Sequence, residues 1–252
     1  NLDILILGLY VESSQLGAYS LAKQLIQKPA AFILPIIQKI SLPLLASLQS
    51  DPVNLRRMLT KAHAYVAALL LFPYILLCFL SEEVVAIMYG DGKVELALFI
   101  IPLAIFWLLR SVGGALVPSI SQGLGKTKID FYWNLSVLGL FGLACLILAP
   151  YGAYHLAWGL AALQTVLMNL IYIVFYKRIV NFKYKSYIYP ILVFAILSLL
   201  SVYLSVWLTA SAQLNLNVVM FVVVNSTSAI GLYYVFCYHN IKNCGKTNSK
   251  IT

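Results

Sequence analysis

Arg110 stands in the middle of an otherwise apolar run, Leu96 to Leu116. A cation near the centre of a bilayer costs roughly 2.5 to 3.5 kcal/mol on insertion scales, so a chain that keeps one gives it a polar cavity or the carbonyls of a neighbouring helix. At 1.5 Å per residue Arg110 lies about 22 Å from Glu95 and about 24 Å from Lys126, too far for its side chain to reach either water layer. Anion binding is the chemistry open to it. The run Leu16 to Leu48 adds Lys23, Lys28 and Lys39 with the amides Gln24, Gln27 and Gln38. Helical periodicity of 100° per residue gathers Gln24, Lys28 and Gln38 on one stripe, with Gln27 and Lys39 flanking it. Lys28 is about 18 Å from Leu16 and hence near mid-membrane, whereas Lys23 and Lys39 sit closer to the run's ends, where snorkelling is as good a reading as a cavity role. Asp3 opens the chain inside a short apolar run. It could pair with a cation, take part in ion coupling, or sit at a solvated helix end.

No enzyme or metal centre assembles from the remaining residues. His63, His155 and His239 are separated by whole apolar runs, with no second ligand three or four residues on. HExxH, GxSxG and Walker A patterns are absent, and Gly123-Leu124-Gly125-Lys126-Thr127 has only part of a phosphate loop's spacing and reads as a turn. Among the four cysteines no pair has CxxC spacing. Neither a cofactor nor catalysis is expected.

The elements that must position these residues follow from composition. Of 252 residues 62% are hydrophobic and only 10% charged, which excludes an ordinary soluble domain, where about a quarter are charged. The apolar residues fall in runs near the length needed to cross about 30 Å of hydrocarbon. They are a short Leu2 to Val11, a long Leu16 to Leu48 broken by Pro29, Pro35 and Pro43, then Ala62 to Leu80, Leu96 to Leu116, Phe131 to Ala149, Gly152 to Tyr176, Tyr187 to Leu208 and Leu216 to Tyr238. None alternates with a period of two, so helices and not a membrane barrel are predicted: an all-α, polytopic bundle.

Arg56, Arg57, Lys61, Lys126, Lys128, Lys177, Arg178, Lys183, Lys185, Lys242, Lys246 and Lys250 all fall on one set of alternate connections, against Lys93 alone on the other. The positive-inside bias then predicts a cytoplasmic C-terminus. It also absorbs the net charge of +9 without nucleic acid. Pro29, Pro35, Pro102, Gly113, Gly114 and Pro118 are places where helices could bend. The start has no basic leader, cleavage site or initiator Met, which predicts that the chain begins inside something larger.

Asp3 to Gly8, Leu16-Gly17-Ala18-Tyr19-Ser20-Leu21-Ala22 and Leu42 to Asp51 resemble polysaccharide flippases of the colanic-acid exporter type. These are Wzx-like members of the superfamily that also holds multidrug and toxin extrusion transporters and lipid II flippases. Gly123 to Thr127 and Tyr151 to Ala157 echo the same family, with Glu12 and His155 standing where it usually has small residues. The resemblance implies two six-helix lobes about a central cavity, followed by two extra helices. By order, residues 1–178 are then the second lobe with its first helix truncated, 179–240 the additional pair and 241–252 a polar cytoplasmic tail, with the N-terminal lobe missing.

It further implies alternating-access transport of an undecaprenyl-diphosphate-linked oligosaccharide across the bacterial inner membrane, for exopolysaccharide, capsule or O-antigen synthesis. Lys23, Lys28 and Arg110 are then the expected holders of the anionic head group, with Gln24 and Gln27 bonding sugar hydroxyls. Lipid-linked cargo, membrane lipids and the missing lobe are the expected partners. A cation-coupled drug exporter of the same fold would call for acidic residues in the helices. An integral-membrane glycan polymerase or ligase would call for a large outer loop, yet the longest outer connection is about Ser81 to Glu95.

Overall fold

The computed structural model of the chain describes residues 1–90 and 95–211. The expected run Leu216 to Tyr238, the tail and Lys93 lie outside the described residues. The described chain is all-helical: α1 (Leu2–Leu7), α2 (Ser13–Ser47), α3 (Pro52–Phe79), α4 (Ser81–Tyr89), α5 (Ala97–Gly114), α6 (Val117–Gly123), α7 (Thr127–Leu148), α8 (Ala153–Ile171), α9 (Arg178–Val180) and α10 (Tyr184–Ser211). Among the described residues six stretches are long and apolar enough to cross a membrane, namely Ser13–Ser47, Pro52–Phe79, Ala97–Gly123, Thr127–Tyr151, Ala153–Val180 and Tyr184–Tyr203. The protein is a multi-pass membrane bundle.

Two boundaries depart from the apolar runs, each for a local reason. Helix α3 begins at Pro52, ten residues before the run at Ala62. Asp51 caps it by accepting the amides of Val53 at 3.2 Å and Asn54 at 3.1 Å, with Pro52 preset for the first turn. Those bonds, the Asn54 amide foremost, hold the Asp51 carboxyl below its ordinary range. Arg56, Arg57 and Lys61 therefore stand on a helical extension of the span. The run Leu96 to Leu116, in turn, is interrupted at Ala115 and Leu116, between the Gly113-Gly114 pair and Pro118 in the first turn of α6. Pro118 has no amide to continue the ladder, and Gln38 of α2 reaches the Ala115 carbonyl at 3.5 Å. The three prolines of α2, by contrast, leave one continuous helix of 35 residues.

The chain divides into two compact units, Asn1–Ile191 and Leu192 onward. In the first, α5 is the central helix, packed on α2, α3 and α8, while α7 lies outside on α8, α1 and α6. Cys145 is the buried residue of α7, whose Phe131, Leu135, Leu138, Leu143 and Ile147 remain exposed; hydrocarbon is the solvent such a surface needs. The described part of the second unit is the rest of α10, in which Phe194 and Val202 are buried.

Gly113 is a place where α5 packs tightly against its neighbours. A Cβ there would stand 2.9 Å from Met168 Cγ and 2.9 Å from the Tyr187 hydroxyl oxygen, whereas Gly139 on α7 has nothing within 4 Å. Gly113→Val should therefore destabilise by roughly 1 to 3 kcal/mol through overpacking. Gly139→Val should leave the thermal unfolding midpoint in detergent nearly unchanged, which makes it the control.

Candidate functional site

Arg110, itself exposed, lines an open cavity of about 230 Å³ between α2, α5, α6, α7 and α8. Helical spacing builds the walls: Trp107, Arg110, Ser111 and Gly114 from α5, Asp130, Trp133, Asn134 and Val137 from α7, and Gln164, Leu167 and Ile171 from α8. Each set recurs at three, four or seven residues and so occupies one face of its helix. The guanidinium carbon is 5.9 Å from the centroid of the Trp107 ring, within cation–π range. No carboxylate comes within ion-pair distance of Arg110 among the described residues.

Asp130 faces the same hollow with both oxygens engaged: Oδ1 accepts from Asn134 Nδ2 at 3.0 Å and Oδ2 from Ser121 Oγ at 3.2 Å. Trp107 Nε1 and Gln164 Oε1 are buried around the cavity and have no hydrogen-bond partner in the protein, while Ser111 faces the Tyr74 hydroxyl. Buried polar atoms are costly to leave unmatched. Beside a cation, they offer a donor and an acceptor to a polar guest.

Helix α2 divides its polar residues between two faces. Lys23 is buried against α1, with Nζ 2.7 Å from both carboxylate oxygens of Asp3 and 3.3 Å from Asn1 Oδ1. Tyr19, one turn earlier, donates to Asp3 Oδ2 at 2.9 Å. Lys28 and Gln24 lie on the exposed face of α2, and Gln27 is half-buried beside it. The Gln24 amide is 3.5 Å from Ser20 Oγ. The residues singled out in the sequence thus occupy three places: Lys23 with Asp3 in a buried ion pair, Gln24, Gln27 and Lys28 along α2, and Arg110 at the cavity.

Sequence reasoning passed over Asp130, Asn134, Ser111, Trp107 and Gln164. A signal existed for two of them. Gln164 is an amide at the middle of an apolar run, and Asp130 with Asn134 is an i, i+4 polar pair at the start of one.

Residues 1–97 match the family model described as "Polysaccharide biosynthesis protein"; Arg110 lies beyond the matched stretch. The chain is similar to the amylovoran biosynthesis protein AmsL of Erwinia amylovora, with 31% identity over 187 residues, covering 73% of this chain and 48% of that protein. It is similar to the teichuronic acid biosynthesis protein TuaB of Bacillus subtilis, with 27% identity over 177 residues, 66% of this chain and 34% of that one. It is also similar to the lipopolysaccharide biosynthesis protein WzxC of Escherichia coli, with 28% identity over 190 residues, 75% of this chain and 38% of that one. Each match spans less than half of the relative's length. No solved structure matches the chain.

The buried pair sets up a double-mutant cycle. Lys23→Met leaves the Asp3 carboxylate buried without its cation and should cost roughly 3 to 5 kcal/mol, whereas Asp3→Leu with Lys23→Met should recover most of that. Thermal unfolding of the detergent-solubilised chain reads these and Asp3→Leu alone; a loss in the double variant equal to the sum of the two single losses would mean that the pair is not coupled.

Proposed function

Because the chain belongs to the family of Wzx-type polysaccharide biosynthesis proteins, we propose that it is the second lobe of a flippase, with its first helix truncated. The cargo is an oligosaccharide linked through a diphosphate to undecaprenol, moved from the cytoplasmic to the outer leaflet of the bacterial inner membrane. The observation that carries the reading is Arg110, a cation midway along an apolar span, open to a cavity where a buried donor and a buried acceptor have no partner in the protein.

A diphosphate cannot cross hydrocarbon alone, and fixed cations with charge-assisted hydrogen bonds lower that barrier. Arg110 and Lys28 take the head group, while Gln24 and Gln27 bond sugar hydroxyls. Lys23 joins them only in a state in which Asp3 lets it go. The first lobe, carried by the part of the relatives' length that this chain does not match, supplies the opposite wall. Rocking of the two lobes exposes the cavity to each side in turn. The basic residues of α3, the α6 to α7 turn, the α9 to α10 turn and the tail face the cytoplasm.

A drug exporter of the same fold moves cations and needs an uncompensated carboxylate in the membrane. Asp3 is neutralised by Lys23 and Asp130 sits in the first turn of α7, which favours the anionic cargo. The chain carries no residue set for glycan polymerisation in this reading and acts as a transporter.

The test is flipping of a labelled, lipid-linked oligosaccharide diphosphate in vesicles containing the whole transporter. Hydrogen bonds to charged groups are worth about 1.5 to 3 kcal/mol, so Lys28→Ala with Arg110→Ala should slow flipping about tenfold or more. An unchanged rate would remove the head-group assignment.

A further inference from the structure

A second basic site lies where the first turns of α3 meet the turn between α9 and α10. Arg56, Arg57 and Thr60 of α3 face Asn181, Lys183 and Ser186 across a cavity of about 490 Å³, with Phe182 in its wall. Three of these side chains are cations and none is a carboxylate. Asp51, whose charge Arg57 influences, is engaged by Val53 N, Asn54 N and Asn54 Nδ2 at the cap of α3. This site shares no residue with the Arg110 cavity.

Its walls are held in place from behind. Asn181 takes the left-handed conformation, φ 53° and ψ 46°, and stops α9. The next residue, Phe182, is buried, its amide bonded to the Tyr176 carbonyl at 2.9 Å and its carbonyl accepting from the Tyr172 hydroxyl at 2.8 Å. His63, three residues beyond Thr60 on α3, puts Nε2 2.9 Å from the Tyr187 carbonyl oxygen and stacks on the Tyr187 ring at 4.7 Å. The start of α10 is thereby fixed to α3, and the three cations are brought together before any ligand arrives, which removes part of the ordering cost of binding.

Thr60 donates its hydroxyl to the Arg56 carbonyl at 2.9 Å, which leaves three cations, the Ser186 hydroxyl and the Asn181 amide around one hollow; they call for an anion with several acceptor oxygens, the chemistry of a phosphate group. Location decides the source. The apolar span of α10 begins at Tyr184, beside the pocket. Tyr184 and Tyr189 are exposed there, as aromatic residues are at the level where helices leave hydrocarbon. A phosphate in this pocket can keep its acyl chains in the bilayer, and basic pockets between transmembrane helices suit anionic head groups. We propose that Arg56, Arg57 and Lys183 bind the phosphate of an anionic phospholipid, of the phosphatidylglycerol kind, at this end of the bundle.

Native mass spectrometry of the intact chain, titrated in detergent with phosphatidylglycerol or phosphatidylcholine, tests it without any variant. At about 1 kcal/mol per basic contact, phosphatidylglycerol should be retained at a concentration about tenfold lower or less. Arg57→Gln with Lys183→Gln should abolish most of that preference, and Lys128→Gln, outside the pocket, should keep it. Equal retention of the two lipids, or a preference untouched in the double variant, would overturn the site. Displacement of phosphatidylglycerol by excess inorganic phosphate would overturn the lipid assignment in favour of a soluble anion.

Discussion

Hydrocarbon offers no water to an unpaired amide, carbonyl or charge, and the rest of this structure depends on meeting that constraint. The solutions are mostly local. Thr60, Ser136 and Thr165 turn their hydroxyls back to the carbonyls of Arg56, Tyr132 and Ala161, four residues earlier on their own helices. Where the helix itself is broken, a neighbour completes it: Gln38 serves the Ala115 carbonyl, and Gln49 of the α2 to α3 turn bonds the Gly123 carbonyl at the end of α6. Gly123 allows that approach, since a Cβ there would stand 3.4 Å from Ala46 N and 3.5 Å from the Leu42 carbonyl oxygen of α2. Asp3, Lys23 and Tyr19 solve the problem across two helices. Around Arg110 the protein's own groups leave Trp107 Nε1 and Gln164 Oε1 unanswered, as they leave the Ser119 and Tyr176 hydroxyls elsewhere.

Much of the helical order was legible because an apolar run of about 20 residues has few other uses. The limits of that reading are instructive at α3 and α5. Hydropathy reports how long the chain stays in lipid, not how long it stays helical, so the capped extension from Pro52 to Lys61 fell outside the run although Asp51-Pro52 carried the start signal. In the run from Leu96 the breakers were visible as Gly113, Gly114 and Pro118. Whether they bend or interrupt the helix depends on a donor such as Gln38, 77 residues away from the carbonyl it serves.

The site was less legible, for the same reason. Depth in the membrane is additive along one helix and could be counted for Arg110 and Lys28. Which way a side chain turns depends on what packs beside it. Lys23 and Lys28 share a helix and differ by about 140° in direction, yet only α1, lying against one of those directions, separates a buried lysine from an exposed one. Asp130, Asn134 and Gln164 gain their meaning from facing α5, and no spacing within a single run encodes that.

The two cations differ in how much of their cost the protein itself offsets. Asp3 compensates Lys23 directly, with a second donor from Tyr19, so the pair enters the interior nearly neutral. Removing either partner would expose the full penalty of the other. Arg110 has Trp107 instead, and a cation–π contact of this kind returns about 0.5 to 2 kcal/mol. That falls short of the roughly 2.5 to 3.5 kcal/mol that a central Arg costs on insertion scales. The difference, on the order of 1 to 3 kcal/mol, is of the size that a single charge-assisted hydrogen bond to an arriving anion supplies. Under the function proposed above, an anionic head group reaching Arg110 makes up that deficit, so the occupied and empty states differ in energy at this residue.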